Sequence, residues 1–406
     1  MNRTQRTLVV AGYGMAAHRL VEELRSLDPA GAWRIVVLAE ERHPAYDRVA
    51  LSSYLDGRSA ADLTLAAPGF LDDPLLDLRL STPVASVDRA ARSVVTASGE
   101  VVGYDALVLA TGSRPFVPPV PGHDLPGCHV YRCLDDLDAI REAAVPGRPG
   151  VVIGGGLLGL EAANALRLLG MEPHVVELAP RLMPVQVDAA GGGVLGRRVG
   201  EQGLRVHCGT ATAAVEAGPD GRAAAVALAD GTSLEAAVVV FSAGVRPRDE
   251  LAGPAGLATG GRGGFLVDGL CRTGDERIWA IGECAAVEGC CHGLAAPGYR
   301  MASSVARQLL DLPAEPFGEA DLSTRLKLLG VEVASFGDAQ ASSEGAVELS
   351  RLDEAAGTYA KLVLAADCHT LLGGILVGDA RAYGEIRPFV GRGLPAAGHR
   401  LLAPAT

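Results

Sequence analysis

The chain lacks any apolar run of the ~18 residues that crossing a bilayer as a helix requires. It lacks a basic excess as well: 36 lysines and arginines stand against 48 aspartates and glutamates, a formal net charge of −12. That sign disfavours nucleic acid and anionic membranes as main partners. The opening "MNRTQRTLVVAGYG" enters a glycine turn before any secretory apolar segment, so a cytoplasmic location is expected. The eight cysteines (Cys128, Cys133, Cys208, Cys271, Cys284, Cys290, Cys291, Cys368) never fall into paired CxxC spacing. Neither a zinc ribbon nor an iron–sulfur cluster site is therefore indicated, and no metal is expected. The thiols read as reduced and partly buried, as in a cytosolic protein. No low-complexity tract occurs. What is plentiful is glycine (52) and proline (24) in a chain of 406 residues that is 49% hydrophobic. Such a chain fits a loop-rich α/β enzyme of two or three domains, each with its own core.

One pattern occurs twice. In "VVIGGGLLGLEAANALRLLGMEPHVVEL" an apolar run precedes Gly154, Gly156 and Gly159, which fit GxGxxG. The first glycine suits the tight turn, the second lets a pyrophosphate approach the backbone, and the third lets helix and strand pack closely. Leu160, Ala163, Leu166 and Leu169 recur at helical spacing from a start near Leu157, and Gly170 ends the helix. Phosphates are expected on the free N–H groups at the start of that helix. Glu177 closes the next strand, 18 residues beyond Gly159. A carboxylate there accepts hydrogen bonds from an adenosine ribose and repels a 2′-phosphate, which predicts NADH. Arg181 argues the other way, since an arginine nearby can accommodate that phosphate.

The second copy, "LVVAGYGMAAHRLVEELRSL" followed by "WRIVVLAEE", has Gly12, Gly14 and Ala17 at the three positions. Glu40 or Glu41 closes its strand as ribose acceptor, with Glu40 preferred because it follows the apolar run more directly. Two complete fingerprints call for two dinucleotides, and FAD with NADH is the economical pair.

Further segments now fall into place: strands ending at Thr111–Gly112 and Ala243–Gly244, and "IWAIGECA" ending at Gly282–Glu283. This order resembles the flavoproteins with two dinucleotide-binding domains, the glutathione reductase-like class. Within it the chain is similar to the FAD/NADH portion of the NADH-dependent nitrite reductase large subunit. "PAYDRVALSSYL", "GLAAPGYRMA" and "LSTRLKLLGVEVASFGDA" carry the likeness, together with the glycine segment of the NADH cradle. The resemblance implies an α/β fold with two Rossmann-like domains and a small C-terminal α/β domain. It places the FAD domain at 1–115 and 245–314, the NADH domain at 116–244, an interface domain at 315–390 and a loose tail at 391–406.

By the same resemblance Gly12, Gly14 and Glu40 bind the AMP half of FAD, while Arg48, Leu51 and Ser52 line the flavin. Thr111 and Gly112 touch FAD near the crossover, Gly282 and Glu283 meet the ribitol, and Ala296 and Pro297 approach the pyrimidine edge. Gly154, Gly156, Gly159 and Glu177 bind NADH, with Glu161 near the nicotinamide amide. Ferredoxin reductases of this class commonly place a lysine beside the flavin after "LS"; here Ser53 stands there, so its ion pair with Glu161 is missing. The full nitrite reductase continues into iron–sulfur and sirohaem parts whose ligand cysteines are absent here, so electron collection without nitrite reduction is expected.

Hydride transfer needs nicotinamide C4 stacked about 3–3.5 Å from flavin N5, a matter of placement rather than acid–base catalysis. Glu161, Arg48 and His292 are the candidate catalytic residues, His292 as a proton donor or, more plainly, as a hydrogen-bonded loop histidine. Disulfide reductases and cysteine peroxidases of this class carry their cysteines after "PAY"; residues 41–60 contain none. Cys128 and Cys133 read as an ordinary pair in a linker or else a redox pair, Cys290 and Cys291 as unbridged neighbours or else a strained vicinal disulfide or sensor, Cys284 as packing or else a nucleophile, and His18 as a helix-surface residue. Arg300 and Arg307 offer either a basic face to an acidic partner or a solvated helix.

The leading expectation is an NADH-dependent flavoprotein that passes electrons to a ferredoxin- or rubredoxin-like carrier or a nitrite/nitrate reductase subunit. One alternative is a self-contained reductase of a small N–O substrate or O2. Another is a nucleotide-binding sensor with little turnover. A homodimer is also among the expectations.

Overall fold

The computed structural model describes residues 5–318, 321–328 and 330–394. The chain divides into two compact units, one of Met1–Arg114 with Val245–Ala320, the other of Pro115–Gly244 with Asp321–Thr406.

The first unit is built on a five-stranded parallel sheet in the order Ile278–Ala280, Ala106–Leu109, Arg6–Ala11, Trp33–Leu38, Leu76–Arg79. Its central strands are β-branched and leucine-rich, and Leu8, Val9, Val10, Ile35, Val37 and Val108 are wholly buried. A parallel sheet covered on both faces produces this continuous apolar pattern in place of alternation. The helix Met15–Leu27 crosses from the first strand to the second, turning Ala17, Leu20, Val21 and Leu24 inward. The helix Ala295–Leu309 packs beside it. An antiparallel sheet of Val84–Asp88, Ser93–Thr96 and Val101–Gly103 flanks the core.

The second unit repeats the plan. Its parallel sheet runs Arg205–Cys208, Glu172–Glu177, Pro149–Ile153, Val238–Phe241, Cys128–Val130. The crossover helix Leu157–Leu168 follows the central strand, and Gly170, at φ +79°, turns the chain out of it. The segment from Asp321 groups with this unit as a five-stranded antiparallel sheet whose edge is Thr324–Leu328 and whose centre is Leu371–Val377. Its helical part is brief, Tyr383–Ile386. The tail expected at 391–406 lies outside the described residues from 395 onward.

Two expectations change. His18 is buried, its Nδ1 3.1 Å from the Tyr13 hydroxyl and its ring edge-on to Phe70, because the segment around Leu65–Phe70 covers that side of the helix. The "CHVYRC" segment is no linker: Cys128 begins the edge strand of the second parallel sheet and Cys133 precedes the helix Leu134–Ala143. All eight cysteines are free thiols, Cys290 and Cys291 included. Cys284 is completely buried against the Leu109 and Ile281 carbonyls, and burial raises its thiol pKa.

Candidate functional site

The two glycine turns share one geometry. Gly12 has φ +102° and Gly154 φ +115°, a region where side chains are strained. A Cβ on Gly12 would stand 2.3 Å from the Ala110 carbonyl oxygen, and one on Gly154 2.3 Å from that of Ser242. Each of these glycines donates its N–H to a carbonyl at the C-terminal end of the neighbouring strand, Leu38 or Val176, at 2.8 Å. Gly14 and Gly156 are the N-caps of the following helices, and open space surrounds the place where a Cβ would be. Neither helix has a side-chain cap or an acid in its first turn. Its first N–H groups and the positive end of its dipole are thus left for an anion. The third positions differ. Ala17 fits, whereas a Cβ on Gly159 would lie 1.9 Å from the Gly154 oxygen, so the second helix sits closer to its turn.

The acids after the two turns are held differently. The Glu177 carboxylate accepts the Gly155 N–H at 2.6 Å and the Ala179 N–H at 2.7 Å, which fixes it beside the glycine turn. Arg181 points its guanidinium into its own loop, donating to the Val187 oxygen at 2.9 Å and the Pro184 oxygen at 3.3 Å. In the first unit both Glu40 oxygens meet Arg248. Glu41 instead takes the Tyr46 hydroxyl at 2.8 Å and pairs with Arg48, whose guanidinium lies 4.9 Å over the Tyr46 ring. Sequence reasoning missed Arg248 and the Glu41–Arg48 pair; the adjacent acid was the one available signal.

The remaining flavin-lining candidates also lie in the first unit. Arg48, Leu51 and Ser52 share the 3-10 helix Arg48–Tyr54, capped by Asp47 through the Val49 N–H; Leu51 is buried. The Thr111 hydroxyl donates to the Arg248 carbonyl at 2.5 Å, and Gly112 has φ +72° with open space around it. Glu283 accepts the Ser113 hydroxyl at 2.8 Å, and Gly282 has φ +76°. Ala296 and Pro297 open the helix Ala295–Leu309, which also lacks a side-chain cap and a first-turn acid. Gly282 and Gly298 both face the Ala16 methyl, so little but backbone lines that side. His292 tilts against Phe317 at 5.4 Å between centroids, and burial lowers its pKa.

Glu161 lies in the first half of the second crossover helix. Its Oε2 is buried with no hydrogen-bond partner among the described residues, and burial pushes its carboxyl pKa up to about 7. A buried carboxyl oxygen left unmet in this way is uncommon in a folded chain.

Twice-built cradles of this kind define a protein of the two-dinucleotide α/β class. The family model for pyridine nucleotide-disulphide oxidoreductases matches residues 6–308, and that for the rubredoxin NAD+ reductase C-terminal domain matches 323–393. The chain belongs to the pyridine nucleotide-disulphide oxidoreductase family. It is 50% identical to the nitrite reductase [NAD(P)H] large subunit of Klebsiella oxytoca over 99% of this chain and 42% of that one. It thus spans less than half of that subunit. With the rubredoxin-NAD(+) reductase of Alcanivorax borkumensis it shares 32% identity over 92% of this chain and 95% of the other. A ferredoxin reductase from Rhodopseudomonas palustris superposes with a TM-score of 0.86 at 29% identity, covering 98% of both chains. No described helix is long and apolar enough to cross a membrane.

Proposed function

We propose that this protein takes electrons from NADH on a bound FAD and delivers them to a separate redox protein, a rubredoxin- or ferredoxin-like carrier or a nitrite/nitrate reductase component. In this reading the FAD domain is 1–115 with 245–314, the NADH domain 116–244, and the C-terminal sheet from about 315 the interface domain. The supporting observation is the doubled cradle, one per unit, each with an uncapped helix N-terminus and, at its N-cap, a glycine with open space where a side chain would stand.

FAD would rest on Gly12, Gly14 and Ala17, with Thr111, Gly112, Gly282 and Glu283 along its length. Arg48, Leu51, Ser52, Ala296 and Pro297 would surround its ring. The Glu40–Arg248 pair would open, or share its charge, at the ribose. Bound there, FAD supplies the chemistry of accepting a hydride and releasing electrons. NADH would rest on Gly154, Gly156 and Gly159, its ribose on Glu177, its carboxamide toward Glu161. Two features favour NADH over NADPH: Glu177 is locked beside the turn, and the Arg181 guanidinium is turned away into its own loop. The small-acceptor reading would need a proton donor such as His292, whose ring instead lies on Phe317. A cytosolic location fits eight free thiols.

Anaerobic titration of the FAD-loaded protein with NADH and NADPH, followed by stopped-flow reoxidation, tests the proposal. NADH is expected to bleach the flavin at the lower concentration, and rubredoxin or a [2Fe–2S] ferredoxin to restore it rapidly. Reoxidation only by O2 or a nitro compound would overturn the carrier reading; failure to bleach would overturn the whole of it.

A further inference from the structure

The loop that follows Glu177 is held from outside the NADH domain. It runs from Leu178 to Asp188, the N-cap of the helix Ala189–Glu201. At its start, Glu177 takes the Gly155 and Ala179 N–H groups, and the Met183 N–H returns to the Gly155 oxygen at 2.9 Å. Gly155 has no room for a side chain, since a Cβ would stand 2.7 Å from Leu182 and 2.9 Å from the Glu177 Cβ. Met183 has φ +48°, an uncommon backbone state for a residue with a side chain. A strained loop keeps its shape only where its surroundings impose it.

Here the surroundings are the C-terminal sheet, part of the same compact unit. The Tyr359 hydroxyl donates to Asp188 Oδ2 at 2.7 Å, and Lys361 Nζ lies 3.1 Å from the same oxygen and 2.9 Å from Glu348. The Lys361 side chain is only 3% exposed. The Tyr359 ring also reaches Gly191, where a Cβ would be 3.2 Å from its Cδ1. Burial alone would raise the Asp188 pKa, but the Gly191 N–H, Tyr359 and Lys361 together hold it below the ordinary aspartate range. In mid-loop, Gln340 Nε2 donates to the Val185 carbonyl at 3.0 Å. The loop so fixed leaves two large apolar side chains exposed, Leu178 at 72%, next in sequence to Glu177, and Val185 at 75%. Exposed apolar groups in that place suit a flat aromatic base.

We propose that Tyr359, Lys361 and Gln340 are positioning residues for the coenzyme, through which the C-terminal sheet shapes the 178–188 loop to receive the adenosine half of NADH. The inference rests on the reading of Glu177 as the ribose acid. It gives the C-terminal sheet a part in coenzyme binding, acting through Asp188 and the Val185 carbonyl.

The test uses Tyr359→Phe and Gln340→Ala in the FAD-loaded protein, since loss of the buried Lys361 risks the fold. Binding of ADP-ribose is measured by calorimetry, and turnover with NADH is compared with turnover of reduced nicotinamide mononucleotide, which lacks the adenosine half. The double variant is expected to weaken ADP-ribose binding about tenfold and to raise KM for NADH by a similar factor. The mononucleotide KM and both kcat values should hold. Unchanged ADP-ribose affinity, or equal loss with both coenzymes, would overturn the inference. Glu177→Ala separates the two layers. If it leaves ADP-ribose binding intact, the ribose assignment itself fails; if it weakens binding while the double variant does not, only the positioning role fails.

Discussion

Replacing Glu161 by glutamine keeps the shape of the side chain and removes its ability to ionise. Burial has pushed that carboxyl from an ordinary 4.5 to about 7. The charged groups on the elements packed against its helix, Glu172, His174 and Glu177 on one strand and Arg325 and Lys327 on another, are not among the causes of the shift. Between pH 4.5 and 7 the folded protein therefore holds a proton at this site that the unfolded chain has released. Its contribution to stability is complete below 4.5 and is lost as pH rises through 7. At 1.36 kcal/mol per pH unit, the ionised side chain costs the fold roughly 3 kcal/mol at pH 8 relative to acid conditions. Glu161→Gln has no such pH-dependent loss. The unmet hydrogen bonds of its amide are the same at every pH and cancel when two pH values are compared. Thermal unfolding in the absence of coenzyme, at pH 5 and pH 8, measures the difference. The variant should gain on the wild type between the two by up to roughly 10 °C, at about 2–4 °C per kcal/mol for a unit of this size. An equal offset at both pH values, or a variant that loses ground at pH 8, would refute burial as the cause.

Gly156→Ala should leave the melting temperature within about 1 °C of wild type, because nothing surrounds the new methyl, yet lower NADH affinity at least tenfold by occupying the cradle. Gly159→Ala should instead unfold or strongly destabilise the second unit, since its methyl meets the Gly154 oxygen at 1.9 Å; circular dichroism melts distinguish the pair. Glu177→Ala should raise KM for NADH and narrow the gap to NADPH without creating an NADPH enzyme, as Arg181 stays bound in its loop; parallel kinetics with both coenzymes check it. Lys361→Ala should cost roughly 3 kcal/mol in denaturant melts by leaving Asp188 and Glu348 without their cation, and Lys361→Arg should recover only part of it.

The cradles were legible in the chain because their requirements are local. A left-handed turn needs glycine at Gly12 and Gly154, an approach without side chains needs Gly14 and Gly156, and the helix and closing acid follow within a few turns. The cysteine-free stretch at 41–60 and the acidic balance were equally plain. Other features depend on residues far apart in sequence. Arg248 reaches Glu40 across 208 positions, Tyr359 reaches Asp188 across 171, and Ser113 reaches Glu283 across 170. Nor could spacing show that His18 is buried, that Arg181 turns from solvent into its own loop, or that Glu161 Oε2 is buried without a partner among the described residues. Sequence by itself thus determined which backbone states the chain adopts at its turns, because these are set by each residue's own sterics. Which charges are paired, buried or left waiting was decided only by tertiary packing, because desolvation and ion pairing depend on neighbours that the fold alone brings together.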